Sequence, residues 1–193
     1  RVTKSERYID LLSGFLLGSG IQRENGLFPH SRRGPYHWGR GNGFAALGMA
    51  ETLTYMPPNY HARETVLGMC NKQMEALKIL QEPSGMYLQL IDFPGSYQEF
   101  TSTCMVGYSM ARGIRLGWLD DSYRVVLDKA WRGISERVDF NGNIVDGCAG
   151  SGVMDNTRSY LDRPANSGYD DRSGSLALWF AAEIERLDRG VTN

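Results

Sequence analysis

Four residues whose types suit the recognition of a sugar acid stand close together in this chain: His30, Trp38, Arg40 and Phe44. Three of them fall in the string Tyr36-His37-Trp38-Gly39-Arg40-Gly41-Asn42-Gly43-Phe44. A guanidinium just before a helix start favours a carboxylate, because the cation and the helix N-terminus carry the same sign. Trp and Phe offer ring faces to a sugar. His30 can donate to a hydroxyl or assist a proton transfer. Plainer roles stay open to each. Arg40 can tie loop carbonyls or pair with Glu51 or an Asp, the aromatics can be core, and His30 can be a structural histidine. Tyr36 and His37 are weaker candidates on the same loop. Glycines at this density let the backbone approach something closely. They are not a dinucleotide fingerprint, since no strand precedes them and the third glycine is misplaced.

Other polar clusters have weaker claims. Glu99, Ser102 and Thr103 open a helical pattern and can either reach a pocket mouth or cap the helix. Asp170-Asp171-Arg172 precede the last helix and offer a carboxylate pair or a cap. Arg158, Asp162 and Arg163 read as loop ion pairs. Cys70, Cys104 and Cys148 read as buried thiols. His30, His37 and His61 have no metal spacing, so no metal or other cofactor is expected.

Length and composition narrow the class. With 193 residues, 41% hydrophobic content and a formal charge of -1, the chain reads as one globular domain over 1–193. Near-neutral charge argues against nucleic acid as a partner. No apolar run approaches the roughly 20 residues of a membrane span, so no membrane partner is expected. A soluble protein of the cytoplasm or periplasm fits this composition.

The elements that must position these residues are helical. Tyr8, Leu11, Leu12, Phe15 and Leu16 form an apolar stripe on a helix from about Ser5, stopped by Gly18-Ser19-Gly20. A long loop from Ile21 to Gly43 follows, with Asn42 or Gly43 as cap for a helix from Phe44 to Met56. Helices are expected over about His61–Gln81, Phe100–Leu116, Asp121 onward with Asp120 as cap, and Ser173–Leu187. Met86–Ile91 reads as extended, Asn141-Gly142 as a hairpin turn, and the Gly-rich run from Gly147 as the start of a second long irregular stretch ending near Asp171. Helices rich in Gly, Ala and Ser alternate with longer charged ones. Small residues suit positions buried on several sides, and charged faces suit an outer ring. This is the pattern of an all-α, α/α toroid with a pocket built by loops at one mouth. A closed toroid of six hairpins needs twelve helices and six are read here, so unless the fold is a smaller bundle about half of the barrel is absent from this chain.

At this point the residues resemble a family. Gly26-Leu27-Phe28-x-His30, Trp38-Gly39-Arg40-Gly41-Asn42-Gly43-Phe44, Gly95 through Met105, Ala111-Arg112-Gly113-Ile114-Arg115 and Tyr160-Leu161-Asp162-Arg163-Pro164 are similar to the unsaturated uronyl hydrolases of glycoside hydrolase families 88 and 105. The likeness runs from about Gly26 to the final helix and is carried chiefly by the Trp-Gly-Arg-Gly-Asn-Gly-aromatic string. The resemblance implies an (α/α)6 barrel acting on lyase-derived oligosaccharides that end in a 4,5-unsaturated uronic acid. It implies hydration of the vinyl ether: C4 is protonated, water adds at C5, the hemiketal opens and the aglycone leaves. By matching motifs it implies a site histidine at His30, an arginine at the unsaturated ring at Arg40, and bracketing aromatics at Trp38 and Phe44. Phe44 departs from the frequent Trp and lacks its N–H donor.

The family's catalytic Asp lies upstream of the Leu-Phe-x-His motif. The matching stretch would precede Arg1, and Asp10 matches no such motif. The expectation is therefore a C-terminal half with no catalytic residue of its own beyond an assisting His30. Its expected partners are the unsaturated oligosaccharide and either the missing N-terminal half or a second copy. Two other readings stay open: another (α/α)6 glycosidase or sugar epimerase using a carboxylate pair, and a non-catalytic carbohydrate-binding remnant.

Overall fold

The computed structural model describes residues 6–191. Its α-helices are α1 (Arg7–Gly18), α2 (Gly39–Tyr55), α3 (Arg63–Leu80), α4 (Phe100–Arg115), α5 (Arg124–Ser135), α6 (Thr157–Leu161) and α7 (Asp171–Asp188). Two small antiparallel hairpins interrupt them. β1 (Tyr87–Leu88) pairs with β2 (Gln98–Glu99), and β3 (Ile144–Cys148) pairs with β4 (Ala165–Gly168). The helix expected from about Ser5 begins at Arg7, and Ser5 lies outside the described residues.

The alternation seen in the sequence becomes two layers. Helix α4 is central, with every residue but Ile114 buried. It packs against α2 on one side and α7 on the other. Small residues make this possible. A Cβ added at Gly43 of α2 would stand 2.8 Å from Met105 of α4, and one at Gly107 of α4 would stand 2.3 Å from the Phe180 ring of α7. The charged helices α3 and α5 pack behind, α3 on α2 and α5 on α4. Val66, Cys70, Met74 and Leu77 of α3 meet Met49, Leu53, Phe100 and Cys104 in one core. Cys70, Cys104 and Cys148 are buried free thiols, as read from the sequence.

The inner helices α2, α4 and α7 run in the same direction, and their C-terminal ends are tied by charge. Arg112 of α4 bonds Glu51 of α2 and, at 2.9 Å, Glu183 of α7. Arg115 Nε donates to Glu183 at 2.5 Å, and Tyr108 donates to Glu51. Burial alone would raise the Glu183 carboxyl, but the two arginines outweigh it and hold it below the ordinary value. The N-terminal ends of the same helices carry Arg40, Glu99 and Asp170 and form the mouth, with β1 packed against α4 and β3 against α4 and α7.

Three expectations need correction. The glycine string is not a loop: Gly39 through Gly43 form the first turn of α2, and Trp38, not Asn42 or Gly43, is the cap position. A five-residue helix, α6, stands inside the second stretch expected to be irregular. The stripe of Tyr8, Leu11, Leu12 and Phe15 is not turned to the core of this chain, and Phe15 is 77% exposed. Ile9, Leu16 and Leu17 of that helix pack inward, and Ser13 is buried beside the Tyr60 hydroxyl.

Candidate active site

The long loop before α2 is held at fixed points. Asn42 sits in the first turn of α2, and its side chain accepts from Phe28 N at 2.9 Å and donates to the Phe28 and Trp38 carbonyls, each at 3.0 Å. This bidentate grip on Phe28 clamps the start of the loop to the helix that ends it. His30 N then donates to Tyr36 O at 2.8 Å, which closes the loop on itself. Residues 37–39 run beside 89–91 as a short ladder, with Ile91 N to His37 O at 2.9 Å and Gly39 N to Gln89 O at 2.7 Å. Glycine is required at position 39, where a Cβ would meet the Leu88 carbonyl oxygen at 2.3 Å.

This scaffold brings all four predicted site residues to the mouth, with unequal exposure. Trp38 is 9% exposed and lies under His30, with ring centroids 4.4 Å apart. It packs with Leu90, Cys148 and Tyr160. Its ring thus backs His30 and takes the core role that the sequence left open beside sugar stacking. His30 is half-buried, and burial lowers its pKa, so the imidazole is neutral at pH 7. Its Nδ1 lies 2.7 Å from the Tyr160 hydroxyl. Arg40 is 8% exposed, and its Nη1 donates to Cys148 O at 3.0 Å, so the loop-carbonyl role does exist. Among the described residues it has no carboxylate partner; Glu51, once a candidate, is bound to Arg112 and Tyr108 at the far end of α2. Phe44 is 52% exposed, with its ring centroid 5.8 Å from the Arg40 guanidinium carbon. Its ring is open to solvent.

Several carboxylates near the mouth are committed. Glu99 is fully buried and caps α4, accepting from Thr101 N at 2.6 Å, Thr101 Oγ1 at 2.7 Å and Ser102 N at 2.7 Å. Burial raises its pKa, and these bonds pull the other way without cancelling the shift. A raised carboxyl can signal a catalytic acid, but Glu99 is sealed from any ligand. Thr103 is equally structural, donating to Glu99 O at 2.8 Å and accepting from Tyr87 N at 3.0 Å. Asp170 stands at the N-cap position of α7 and accepts from Ser173 Oγ at 2.5 Å, although its side chain takes no backbone N–H of the helix. Asp92 bonds His37 Nδ1 at 2.7 Å, and Tyr36 donates to Asp155 O at 3.3 Å. Arg158 pairs with Asp162 at 2.8 Å as expected, whereas Arg163 donates to Gly150 O.

Sequence reasoning missed the part played by Tyr160, Cys148 and Gln89. All three are buried around Trp38, and Gln89 Nε2 donates to Tyr160 O at 3.1 Å. Tyr160 stood in view within its motif, but nothing local joins it to a histidine 130 positions earlier. The one signal available was a tyrosine in a stretch otherwise polar and loop-like, which has to bury its ring somewhere.

Comparison with known proteins bears on this arrangement. The family described as Glycosyl Hydrolase Family 88 matches residues 21–188. The unsaturated rhamnogalacturonyl hydrolase YesR of Bacillus subtilis (strain 168) is 29% identical over 148 residues, which are 77% of this chain and 41% of that protein. A solved structure of a possible member of the GH105 family from Salmonella enterica serovar Paratyphi A superposes with a TM-score of 0.86 at 24% identity, covering 97% of this chain and 52% of its own. The unsaturated glucuronyl hydrolase from Bacillus sp. GL1 superposes with a TM-score of 0.69 at 15% identity, covering 98% and 55%. Such neighbours are (α/α)6 toroids, and this chain has the fold of about half of one. It likewise spans less than half the length of YesR.

Proposed function

This chain belongs to Glycosyl Hydrolase Family 88, and from that premise we propose that it forms part of the substrate site of an unsaturated uronyl hydrolase. The substrate is an oligosaccharide with a 4,5-unsaturated uronic acid at its non-reducing end. The observation that carries this reading is Arg40. It is a buried cation at the mouth, bonded to one carbonyl and with no carboxylate among the described residues. Burying a charge without a partner is costly, and a uronate carboxylate supplies the missing anion. Phe44 covers the sugar ring, and His30, backed by Trp38, contacts a ring oxygen or hydroxyl.

The reaction proposed is hydration. A proton adds to C4, water adds at the C5 oxocarbenium, and the hemiketal opens to release the aglycone. No residue of this chain is assigned as the proton donor: Glu99 is sealed, Asp92 is bonded to His37 and Asp170 to Ser173. The acid is supplied by the remainder of the toroid. That remainder also covers the apolar stripe of α1, together with Leu178 and Trp179 of α7, all of them exposed.

Two measurements test this. In the assembled enzyme, Arg40→Ala removes a charge-assisted carboxylate contact of about 2–3 kcal/mol. The expected fall in kcat/KM is about 30- to 150-fold, followed by loss of absorbance from the unsaturated bond. Near wild-type kinetics would sink the assignment. Taken alone, the chain is expected to dimerise or aggregate through its apolar flanks. Solution scattering that shows a monodisperse monomer would count against the half-toroid reading.

A further inference from the structure

We propose that Tyr160 is a positioning residue that fixes the proton of neutral His30 on Nε2, the ring edge offered to the sugar. The proposal rests on the functional reading above only for what that edge meets. The tautomer itself follows from hydrogen-bond arithmetic.

Tyr160 lies on α6 and is fully buried. Its hydroxyl has two polar neighbours among the described residues. Met154 N donates to it at 3.2 Å, and His30 Nδ1 stands 2.7 Å away. The phenol carries one proton, and a buried donor without an acceptor costs about 1–3 kcal/mol. If His30 held its proton on Nδ1, the tyrosine oxygen would face two donors while its own proton had no acceptor. If Nδ1 is bare, the chain runs from the Met154 amide to the Tyr160 oxygen, and from the Tyr160 hydroxyl to Nδ1, with every group satisfied. Neutral imidazole carries one ring proton, so that proton sits on Nε2.

The surroundings hold this arrangement. The Trp38 ring lies under His30, and the Tyr36 ring packs 5.1 Å from that of Tyr160. Nε2 makes no hydrogen bond among the described residues, so its N–H is the free valence of the cluster. The consequence is directional. His30 meets a sugar oxygen or carboxylate as a donor, and in this state Nε2 cannot take a proton from a hydroxyl or from water. The role of assistant in proton transfer therefore narrows to hydrogen-bond donation.

The chain contains three histidines, so selective nitrogen-15 labelling gives a spectrum with few signals to assign. At neutral pH the wild-type protein should show His30 with a bare Nδ1 and a protonated Nε2, in a ratio of about tenfold or more. Tyr160→Phe should return His30 to a mixture of tautomers, and Tyr36→Phe should leave it unchanged. A wild-type His30 protonated on Nδ1 overturns the proposal, and that result needs no variant to fold. A Tyr160→Phe spectrum identical to wild type overturns it as well. Addition of an unsaturated uronide disaccharide to the assembled enzyme should then shift the His30 Nε2–H signal. If the tautomer is as stated and that signal does not move, the substrate assignment fails while the positioning role of Tyr160 stands.

Discussion

The two ends of the inner helices solve opposite problems with similar residues. At the C-terminal end, Arg112 and Arg115 meet two carboxylates, and Glu183 accepts from both arginines while only 2% exposed. At the N-terminal end, Arg40 is as deeply buried as Arg112 yet bonds a single carbonyl. Trp38 Nε1 and Gln89 Oε1 are buried there without a partner among the described residues. Arg112 Nε is also unpaired, so the contrast is one of charge neutralisation and not of a perfect polar count. Buried charge that is fully paired holds a fold together, whereas buried charge with an open valence can hold a ligand.

That contrast can be attacked from both sides. The largest effect should come from Glu183→Gln, which leaves buried Arg115 without a carboxylate and Arg112 with Glu51 alone. Urea titration should show a loss of about 3–5 kcal/mol in unfolding free energy. The same network makes the fold acid-sensitive. The Glu183 carboxyl is held below its ordinary value, so its contribution is present above that ordinary value and is lost as pH falls through the lowered one. Arg40→Ala comes next. Its effect should fall on kcat/KM as given above, with a stability cost of only about 1 kcal/mol. If Arg40→Ala destabilised the fold as much as Glu183→Gln, the two ends would be alike and the distinction would fail.

Much of this architecture was legible in the chain. The 3.6-residue periodicity and the Gly/Ala/Ser composition of α2, α4 and α7 gave the helices and their layers, because close packing leaves a local mark on sequence. The Asn141-Gly142 turn was readable because turn chemistry is local, and so was the Asp120 cap, although it caps a short 3-10 turn (Asp121–Tyr123) and α5 itself begins at Arg124. What escaped was long-range. Arg112 and Arg115 were visible as a pair on a small-residue helix, but their partner Glu183 lies 71 and 68 positions away. A charge on a helix destined to be buried must find an opposite charge, and that rule could have raised the question without naming the answer. The glycine string misled because glycine usually ends helices. Here it begins one, since the Leu88 carbonyl leaves no room for a side chain at position 39. Trp38 was read as a wall because its type suits one, and burial depends on neighbours that sequence does not display.

Smaller tests bear on the middle of the helices and on the mouth. Gly107→Ala drives a methyl into the Phe180 ring and should cost about 1–3 kcal/mol in thermal or urea unfolding. The smallest effect is expected at His30. Its folded pKa is lowered, so the stability tied to its neutral form is complete above the ordinary value of about 6.5 and fades as pH falls below it. Melting temperature should therefore decline less on acidification in His30→Gln than in wild type. An equal decline would mean that His30 is not held neutral by the fold.

The close contacts at Gly43 and Gly107 have a consequence beyond packing. They set the spacing of α2 from α4 and of α4 from α7, and Arg40, Glu99 and Asp170 ride on the ends of those three helices. Helix spacing is therefore the calibration of the aperture. A single methyl at either glycine would widen the mouth by tenths of an ångström with every site residue unchanged. Sequence drift at such positions would be felt as a change in the shape of the mouth, far from any residue that lines it.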